Sequence, residues 1–570
     1  MKISKIELRK FRSIEKCSIE LNDINAIVGQ NNSGKSAIIR ALNCFFNFQK
    51  EEINFIQGKH HYNMSSTPTI TLTFSEYSSE FNDYSDGETL NIQQTYKLSN
   101  KKVIYKYKKN GTYVNAPDAL LDLINQKISF VYIPPDRTAT ELKWEEDSLI
   151  KELIEEYLKN ETARRDNLTP KFKQATEHLE KGVLNKIGRE LEKFYSLKKN
   201  FTYTLGFNST SNYTAFLNNI EIFIEEFGIK HNLDDCGTGL QSVTIIAFYR
   251  VLAKLKGKHI ILGLEEPETN LHPQAQRELI NSIKNTSPDE YTQVLLTTHS
   301  TVIVDNIDHK HITLVRKVKD IQRGFKSEAY KLKQSFFEDH NLEEFKYYQF
   351  HHYRNSDFFF ANYIIIAESK NDVEVIKFLA KNKKIDLDLY GISLVNIDGV
   401  GNLAYPFHIV NDLKLPYLLI LDKDYFLPYQ NDELDLSRNS NGFPKYRNEF
   451  SNGTLLNDLI PQKQDRDRLL HLLNTNHTRA LDHLDRFNII CMNFNLEMDL
   501  LCSSAAVEEM SKILSLNNTE SNVKFLLESR GKAIKKIDKI LSVLYEIQVK
   551  NFPTSYKRIR NKLSEIVKSI

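Results

Sequence analysis

Cysteine is scarce and scattered. The five in 570 residues (Cys17, Cys44, Cys236, Cys491, Cys502) form no C-x-x-C pair and stand in no His cluster at zinc spacing. That excludes a disulfide framework and a structural zinc site, and points to the reduced thiols of a cytoplasmic protein. No run approaches the roughly 18–20 uninterrupted apolar residues of a membrane span, and the first residues, MKISKIELRKFRS, lack the apolar core of a signal peptide. No membrane partner is therefore expected. Internal repeats and low-complexity tracts are also missing. Neither sign of charge dominates: 76 Lys plus Arg against 74 Asp plus Glu leave a formal net charge of +2, so any basic surface has to be local. What is there is a globular composition, 41% hydrophobic and 26% charged, over a length that at about 100–200 residues per domain suggests two to four domains.

Residues 29–36, GQNNSGKS, fill every position of G-x-x-x-x-G-K-[ST]. Glycines let the backbone wrap an anion, successive N–H groups point inward, and the following helix offers its positive end. Gly29, Asn31, Asn32, Ser33 and Gly34 would cradle phosphates, Lys35 would neutralise β/γ-phosphate charge, and Ser36 would hold Mg²⁺. The context fits, with a short buried strand at 24–28 before the loop and an apolar helix at 36–46 after it.

Before the loop, residues 1–28 alternate as two antiparallel strands bent at Phe11-Arg12. After it, 68–74, 90–98 and 102–107 read as strands of a β-rich flap, and 129–137 as a strand broken by Pro134-Pro135, with Arg137 a phosphate or interface contact or simply a solvated side chain. From 141 to 199 the composition turns to Glu, Lys, Leu and Ile, predicting helices at 146–160 and 170–197. Such an arm serves dimerisation or faces DNA, with a solvated helical hairpin as the alternative. Strands resume at 200–205 and 219–226.

A glycine-rich turn, Cys236-Gly237-Thr238-Gly239-Leu240-Gln241-Ser242, opens a helix at 241–255. A buried strand at 258–264 then ends in Glu265-Glu266-Pro267-Glu268, where carboxylates reach a sheet edge. Glu265 is assigned to Mg²⁺ and Glu266 to the hydrolytic water as general base. A further buried strand, 293–297, ends in Thr298-His299-Ser300, which puts His299 beside the γ-phosphate. In this order the motifs resemble the ATP-binding-cassette ATPases of the chromosome-maintenance and repair type. The resemblance makes GQNNSGKS the P-loop, CGTGLQS the signature (Gly237, Thr238, Gly239, Gln241), LGLEEPETNLHP the Walker B and D-loop, and TTHS the switch histidine. It implies ATP as ligand and a homodimer of heads in which one copy's signature faces the other's P-loop. Glu265 stands where many relatives carry Asp, and the signature departs from the transporter form.

Beyond 306 the pattern changes to a connecting region, 307–357. A buried strand at 358–367 then runs into Glu368, with Asp372 at the start of an amphipathic helix over 371–379. Two more strands lead to acids: 393–397 to Asp398, and 417–421 to Asp422-Lys423-Asp424. Carboxylates at the carboxyl ends of α/β strands suit divalent metals that organise attack on a phosphodiester.

The set Glu368, Asp372, Asp422 and Asp424 looks like a Toprim domain. Placed behind the ATPase, it resembles the OLD (overcoming lysogenization defect) family of ATPase–Toprim nucleases, a group that includes the Gabija anti-phage nucleases. By that resemblance a strand at 489–494 leads to Glu497 and Asp499, which help bind a second ion, and Lys532 of Arg530-Gly531-Lys532 stabilises phosphate charge. Ser369 stands where the family has Gly, and 425–485 matches nothing.

The expected fold class is thus α/β: an ATP-binding-cassette ATPase domain over 1–306 with its helical insertion, then a connector, then a C-terminal Toprim domain with a parallel sheet and C-terminal helices over 358–570. The expected cofactors are ATP with Mg²⁺, and Mg²⁺ or Mn²⁺ as a pair of ions at the Toprim site. The leading function is a nucleotide-regulated DNA endonuclease of anti-phage defence, with self-association to a dimer or tetramer and a separate helicase-like or effector partner. One alternative is cleavage of tRNA or other RNA. Another is an ATPase sensor whose degenerate Toprim module binds an effector.

Overall fold

The computed structural model describes residues 1–135, 150, 153–154, 156–157, 179–194, 201–207, 220–255, 258–284, 292–321, 323–344, 356–452 and 455–570. Arg137 and most of the expected arm lie outside them. The chain forms two compact units, Met1–Lys333 and Gln334–Ile570.

The first unit is built on strands β1 (Lys2–Phe11), β2 (Ile14–Glu20), β3 (Ile24–Val28), β4 (Thr69–Ser75), β5 (Leu90–Lys97), β6 (Lys102–Lys109), β7 (Thr112–Asn115) and β8 (Ile128–Ile133). Strands β9 (Phe201–Phe207), β10 (Ile220–Glu226) and β11 (Ile229–Asn232) form a separate antiparallel sheet. The large sheet is completed by β12 (His259–Glu265), β13 (Thr292–Thr297), β14 (Ile312–Asp320) and β15 (Gly324–Lys331), in the order β7-β6-β5-β4-β1-β2-β15-β14-β3-β13-β12-β8.

Residues 1–20 form the expected antiparallel pair, with Phe11 opposite Ile14. The buried positions Ile3, Ile6, Leu8 skip a beat because the register against β4 shifts between Ile3 and Lys5, a bulge that turns Ile6 back to the core. From β14 to β8 the strands are parallel. Parallel strands are covered on both faces, and β12, HIILGLE, is buried at every residue. Helix α1 (Lys35–Phe46) packs so closely on β12 that a Cβ at Gly263 would lie 2.8 Å from Ile39 and 2.6 Å from Phe130. Helix α2 (Phe48–Ile56) follows it. Helix α3 (Thr238–Leu255) covers the β9–β11 sheet, and α4 (Pro273–Lys284) precedes β13. The connecting region of the sequence reading supplies β14 and β15, which insert between β2 and β3.

In the second unit β16 (Tyr363–Ala367), β17 (Ile392–Asn396), β18 (Tyr417–Leu421) and β19 (Ile489–Cys491) form one parallel sheet, ordered β17-β16-β18-β19. Helix α5 (Lys370–Asn382) connects β16 to β17, and α6 (Ala404–Asp412) connects β17 to β18. The unmatched stretch after β18 contains α7 (Lys463–Thr475) and α8 (His477–Leu484). The helices after β19 include α9 (Leu496–Leu500), α10 (Gly531–Ile534) and the terminal α11 (Thr554–Ser569). Two strands are shorter than the apolar runs suggest. Phe358 and Phe359 stack 4.3 Å apart in a 3-10 turn, Ser356–Phe360, so the strand starts at Tyr363. β19 stops at Cys491 because the N–H groups of Asn493 and Phe494 turn away to the Asp499 carboxylate.

Candidate functional site

The phosphate loop owes its path to two glycines. Gly29 (φ 138°) passes so close to β14 that a Cβ there would meet the Val315 carbonyl oxygen at 2.1 Å, and Gly34 (φ 108°) caps α1 in a conformation costly for other residues. Ser33 is buried beneath the loop. Lys35 donates through Nζ to the carbonyls of Gly29 (3.0 Å) and Gln30 (2.8 Å). Burial pushes its pKa down to about 8, against the pull of Glu266, Glu268 and Glu265.

A cleft of about 960 Å³ brings Asn31, Asn32, Gly34, Lys35 and Ser36 together with Glu266 and His299. Arg12, Lys59 and Arg323 line it as well. These three cations come from separate places in the chain, and the sequence pattern marked only Arg12, as part of a bend. Arg323 donates to the Arg12 carbonyl at 2.9 Å and lies 4.3 Å from the Tyr62 ring centroid.

Glu265 ends β12 with its side chain buried, and that burial raises its pKa while Arg40 pulls it back. Glu266 has a positive φ of 45°. Its N–H donates to the Thr297 carbonyl (3.1 Å), and its Oε1 is 3.6 Å from His299 Nε2. Burial lowers the His299 pKa; Lys35 adds to that and Glu266 opposes it. The residue that sequence reasoning missed is Glu268. Its Oε1 accepts from Thr298 Oγ1 (2.9 Å) and from the His299 N–H (2.6 Å), tying one strand end to the next.

The glycine-rich turn does not line this cleft. Gly239 packs on the following segment, where a Cβ would be 2.5 Å from the Asn270 carbonyl oxygen. Gln241 turns its amide onto the carbonyls of Leu233, Asp234 and Cys236. Gly237 is exposed, and the Thr238 side chain lies outside the description.

In the second unit the acids gather at the carboxyl ends of β16 and β18. The Asp422 N–H reaches Glu368 Oε2 at 3.4 Å. Burial first, then the charges of Asp424, Asp372 and Glu497, raise the Glu368 pKa to about 7. Asp422 is driven well above the ordinary range by burial and by the same neighbours with Glu368. Asp372 is raised to about 6 by burial, although Ser369 opposes this, donating to Asp372 Oδ2 through its hydroxyl (2.6 Å) and its backbone N–H (2.9 Å) in a capping box that starts α5. The serine that stands in for glycine therefore holds a carboxylate of the centre.

Glu368, Asp372, Asp422, Asp424 and Glu497 are thus near enough to act on one another through their charges. An all-oxygen donor set with concentrated, mutually repelling charge fits a hard divalent cation. Asp499 is turned into the fold. Its carboxylate accepts from the N–H groups of Asn493 and Phe494 and from Ser555 Oγ on α11, which holds the turn presenting Glu497. Lys532 is exposed on α10, whereas Lys535 Nζ lies 3.3 Å from Glu497 Oε1 and its carbonyl accepts from Asn371 Nδ2 (2.8 Å).

Among the described residues the set of potential metal ligands whose donor atoms lie within 4.8 Å of one another is a different one, Cys44, Glu51 and His60, all buried. Glu51 already accepts from Arg40, Asn43, Asn54 and His60 at 2.7–2.9 Å, so its lone pairs are engaged and the set reads as a buried polar brace.

The AAA ATPase domain family matches residues 1–115 and 78–304. The TOPRIM domain of the Overcoming lysogenization defect protein-like type matches 359–424. An OLD nuclease of Thermus scotoductus (strain ATCC 700910 / SA-01) is 22% identical over 454 residues, covering 74% of this chain and 82% of the relative. An Endonuclease GajA of Bacillus cereus (strain VD045) is 23% identical over 468 residues, covering 74% and 75%. An Old nuclease of Escherichia phage P2 is 24% identical over 225 residues, covering 35% of each chain.

Proposed function

Because the chain belongs to the AAA ATPase domain family and carries an OLD-like TOPRIM domain, we propose that it is a nucleotide-regulated, divalent-cation-dependent DNA endonuclease of anti-phage defence. The observation that carries this is the gathering of Glu368, Asp372, Asp422, Asp424 and Glu497 at one end of a parallel sheet, in a chain that also holds a phosphate-loop cleft. The names of the relatives, OLD nuclease and Endonuclease GajA, support the same reading.

At the first site ATP binds with its β- and γ-phosphates on the 29–36 loop, where Lys35 exchanges the loop carbonyls for phosphate oxygens. Ser36 and Glu265 would hold Mg²⁺, which supplies charge neutralisation at the phosphates. Glu266 takes a proton from the attacking water, and His299, set in place by Glu268, stands by the terminal phosphate. Gly237, Thr238 and Gly239 would serve a second copy's loop, so the active ATPase is a homodimer.

At the second site Glu368, Asp422 and Asp424, with Asp372 and Glu497, would hold Mg²⁺ or Mn²⁺ as a pair of ions; such ions polarise a phosphodiester and lower the pKa of water. Asp499 shapes the Glu497 turn rather than reaching the ions. Lys532 and Lys535 supply positive charge for the phosphate.

The test is to incubate the protein with supercoiled plasmid, linear DNA and total RNA, in Mg²⁺ or Mn²⁺, with and without ATP, beside Glu368→Ala and Lys35→Ala. Glu368-dependent DNA cutting is expected, and Lys35→Ala should lose its response to ATP. Loss of RNA alone moves the substrate to RNA. No cutting under any condition sinks the nuclease reading in favour of a sensor.

A further inference from the structure

After Asp422-Lys423-Asp424 the chain leaves the sheet, and residues 427–451 contain one 3-10 turn (Asp435–Ser437) and two isolated bridges, Tyr429 with Tyr446 and Arg438 with Pro444. This stretch is nevertheless pinned. The Arg447 N–H donates to the Pro428 carbonyl (3.0 Å), the Gln430 N–H to that of Lys445 (3.0 Å), and the Ser451 N–H to that of Phe426 (2.8 Å).

Aromatic packing fixes its inner face. The Tyr429 and Tyr446 rings lie 5.4 Å apart, and Phe443 stacks on Phe494 of the loop after β19 at 4.7 Å. Lys423, the buried residue between the two aspartates, places Nζ 5.0 Å from the Tyr446 ring and 5.9 Å from that of Phe494. A cation over aromatic faces in a desolvated place holds loop and strand end together. The outcome is one directed contact: Tyr429 Oη donates to Asp424 Oδ2 at 2.8 Å. A carboxylate oxygen accepts and a phenol hydroxyl donates, so the bond runs from Tyr429 to Asp424.

We propose that Tyr429 is a positioning residue of the acid centre: its hydroxyl fixes Asp424 by one oxygen and turns the other to the cation, so that the 427–451 segment sets the cation affinity of the site. This rests on the reading of the five carboxylates as a divalent-cation site, and it adds a control element that the acid motifs themselves do not contain. A hydroxyl that holds a ligating carboxylate acts on affinity as well as on rate, since such supporting hydrogen bonds typically carry about 10–100-fold in metal binding.

The experiment titrates Mn²⁺ into the full chain by calorimetry and by the loss of free-ion paramagnetic resonance signal, for the parent, Tyr429→Phe, Tyr446→Phe and Glu368→Ala. Tyr429→Phe keeps the ring and its packing and should bind Mn²⁺ about tenfold more weakly, with an unchanged melting temperature in chelator. Tyr446→Phe should bind like the parent. Cleavage by Tyr429→Phe should recover as Mn²⁺ is raised, the mark of a binding defect. Parent-like Mn²⁺ affinity in Tyr429→Phe overturns the proposal. If Tyr429→Phe folds poorly, Asp424→Asn decides, since parent-like Mn²⁺ affinity there would leave the hydroxyl no ligand to position and also overturn the proposal. A parent that cuts nothing yet binds Mn²⁺ in a Glu368-dependent way would end the nuclease reading and leave the Tyr429 comparison intact.

Discussion

Glu268 reaches from the turn after β12 to the Thr298 hydroxyl and the His299 N–H, so it decides where the His299 ring stands. Glu268→Ala leaves both donors without their carboxylate, a loss of about 2–3 kcal/mol. Nucleotide binding should persist while turnover falls, and turnover equal to the parent's would show that His299 is held by other means. His259, at the start of β12, is a second residue with a measurable signature. Burial pushes its pKa down to about 4, with Gln293 pulling it back. The unfolded chain therefore binds the proton first. Stability from this group is complete above about pH 6.5 and is lost as the pH falls toward 4, on the order of 3 kcal/mol in all. Urea titrations between pH 7 and 5 should show a shallower loss in His259→Gln than in the parent, and equal slopes would contradict the assignment. The places of Lys35, Glu266, His299, Glu368 and Asp422 in the fold were legible because each ends or follows an apolar run that has to be a buried strand, and strand ends are where ligands sit. Glu268 and Tyr429 were not, because their roles are contacts, and no periodicity announces which oxygen a side chain will reach.

Helix α1 lies on β12 through Gly263, so Gly263→Val has to push aside Phe130 and Ile39. A loss of about 1–3 kcal/mol is expected from overpacking, read as a lower urea midpoint with weakened nucleotide binding, since α1 carries Lys35 and Ser36. Helix α11 braces the other site: Ser555 donates to Asp499, and Tyr556 Oη donates to the Leu496 carbonyl at 2.9 Å. Ser555→Ala should cost about 1–3 kcal/mol by leaving a buried carboxylate short of a donor, and Mn²⁺ binding at the Glu497 side should weaken with it. Unchanged binding would confine α11 to stability. At this scale the parallel strands were readable as unbroken apolar runs, whereas their true ends were not. β19 is cut short by a carboxylate eight residues on, and β16 by a ring stack. The hairpin of β14 and β15 reads in the sequence only as a connecting region, because its place between β2 and β3 is a property of the sheet and not of the segment.

For the whole molecule, the exposed Gly237 turn does not line the cleft of the same chain, so ATP binding should join two copies. Glu266→Gln, which should slow turnover by roughly a hundredfold or more as a lost general base while keeping ATP, should elute as a dimer with ATP and at lower mass without it. A mass independent of nucleotide would refute the shared site. The order of the large sheet carries a different consequence. β3, which delivers the phosphate loop, is flanked by β13 and β14, and β14 is closed off by β15, ending at Lys331. A fragment of residues 1–333 should therefore fold and bind nucleotide, whereas 1–306 should leave β3 open on one side and bind none. On the ribosome the same dependence becomes a delay. At about 5–20 residues per second, the loop is made early and waits tens of seconds for its second neighbour, so a chain broken off by interrupted translation before β15 is delivered without a working nucleotide switch.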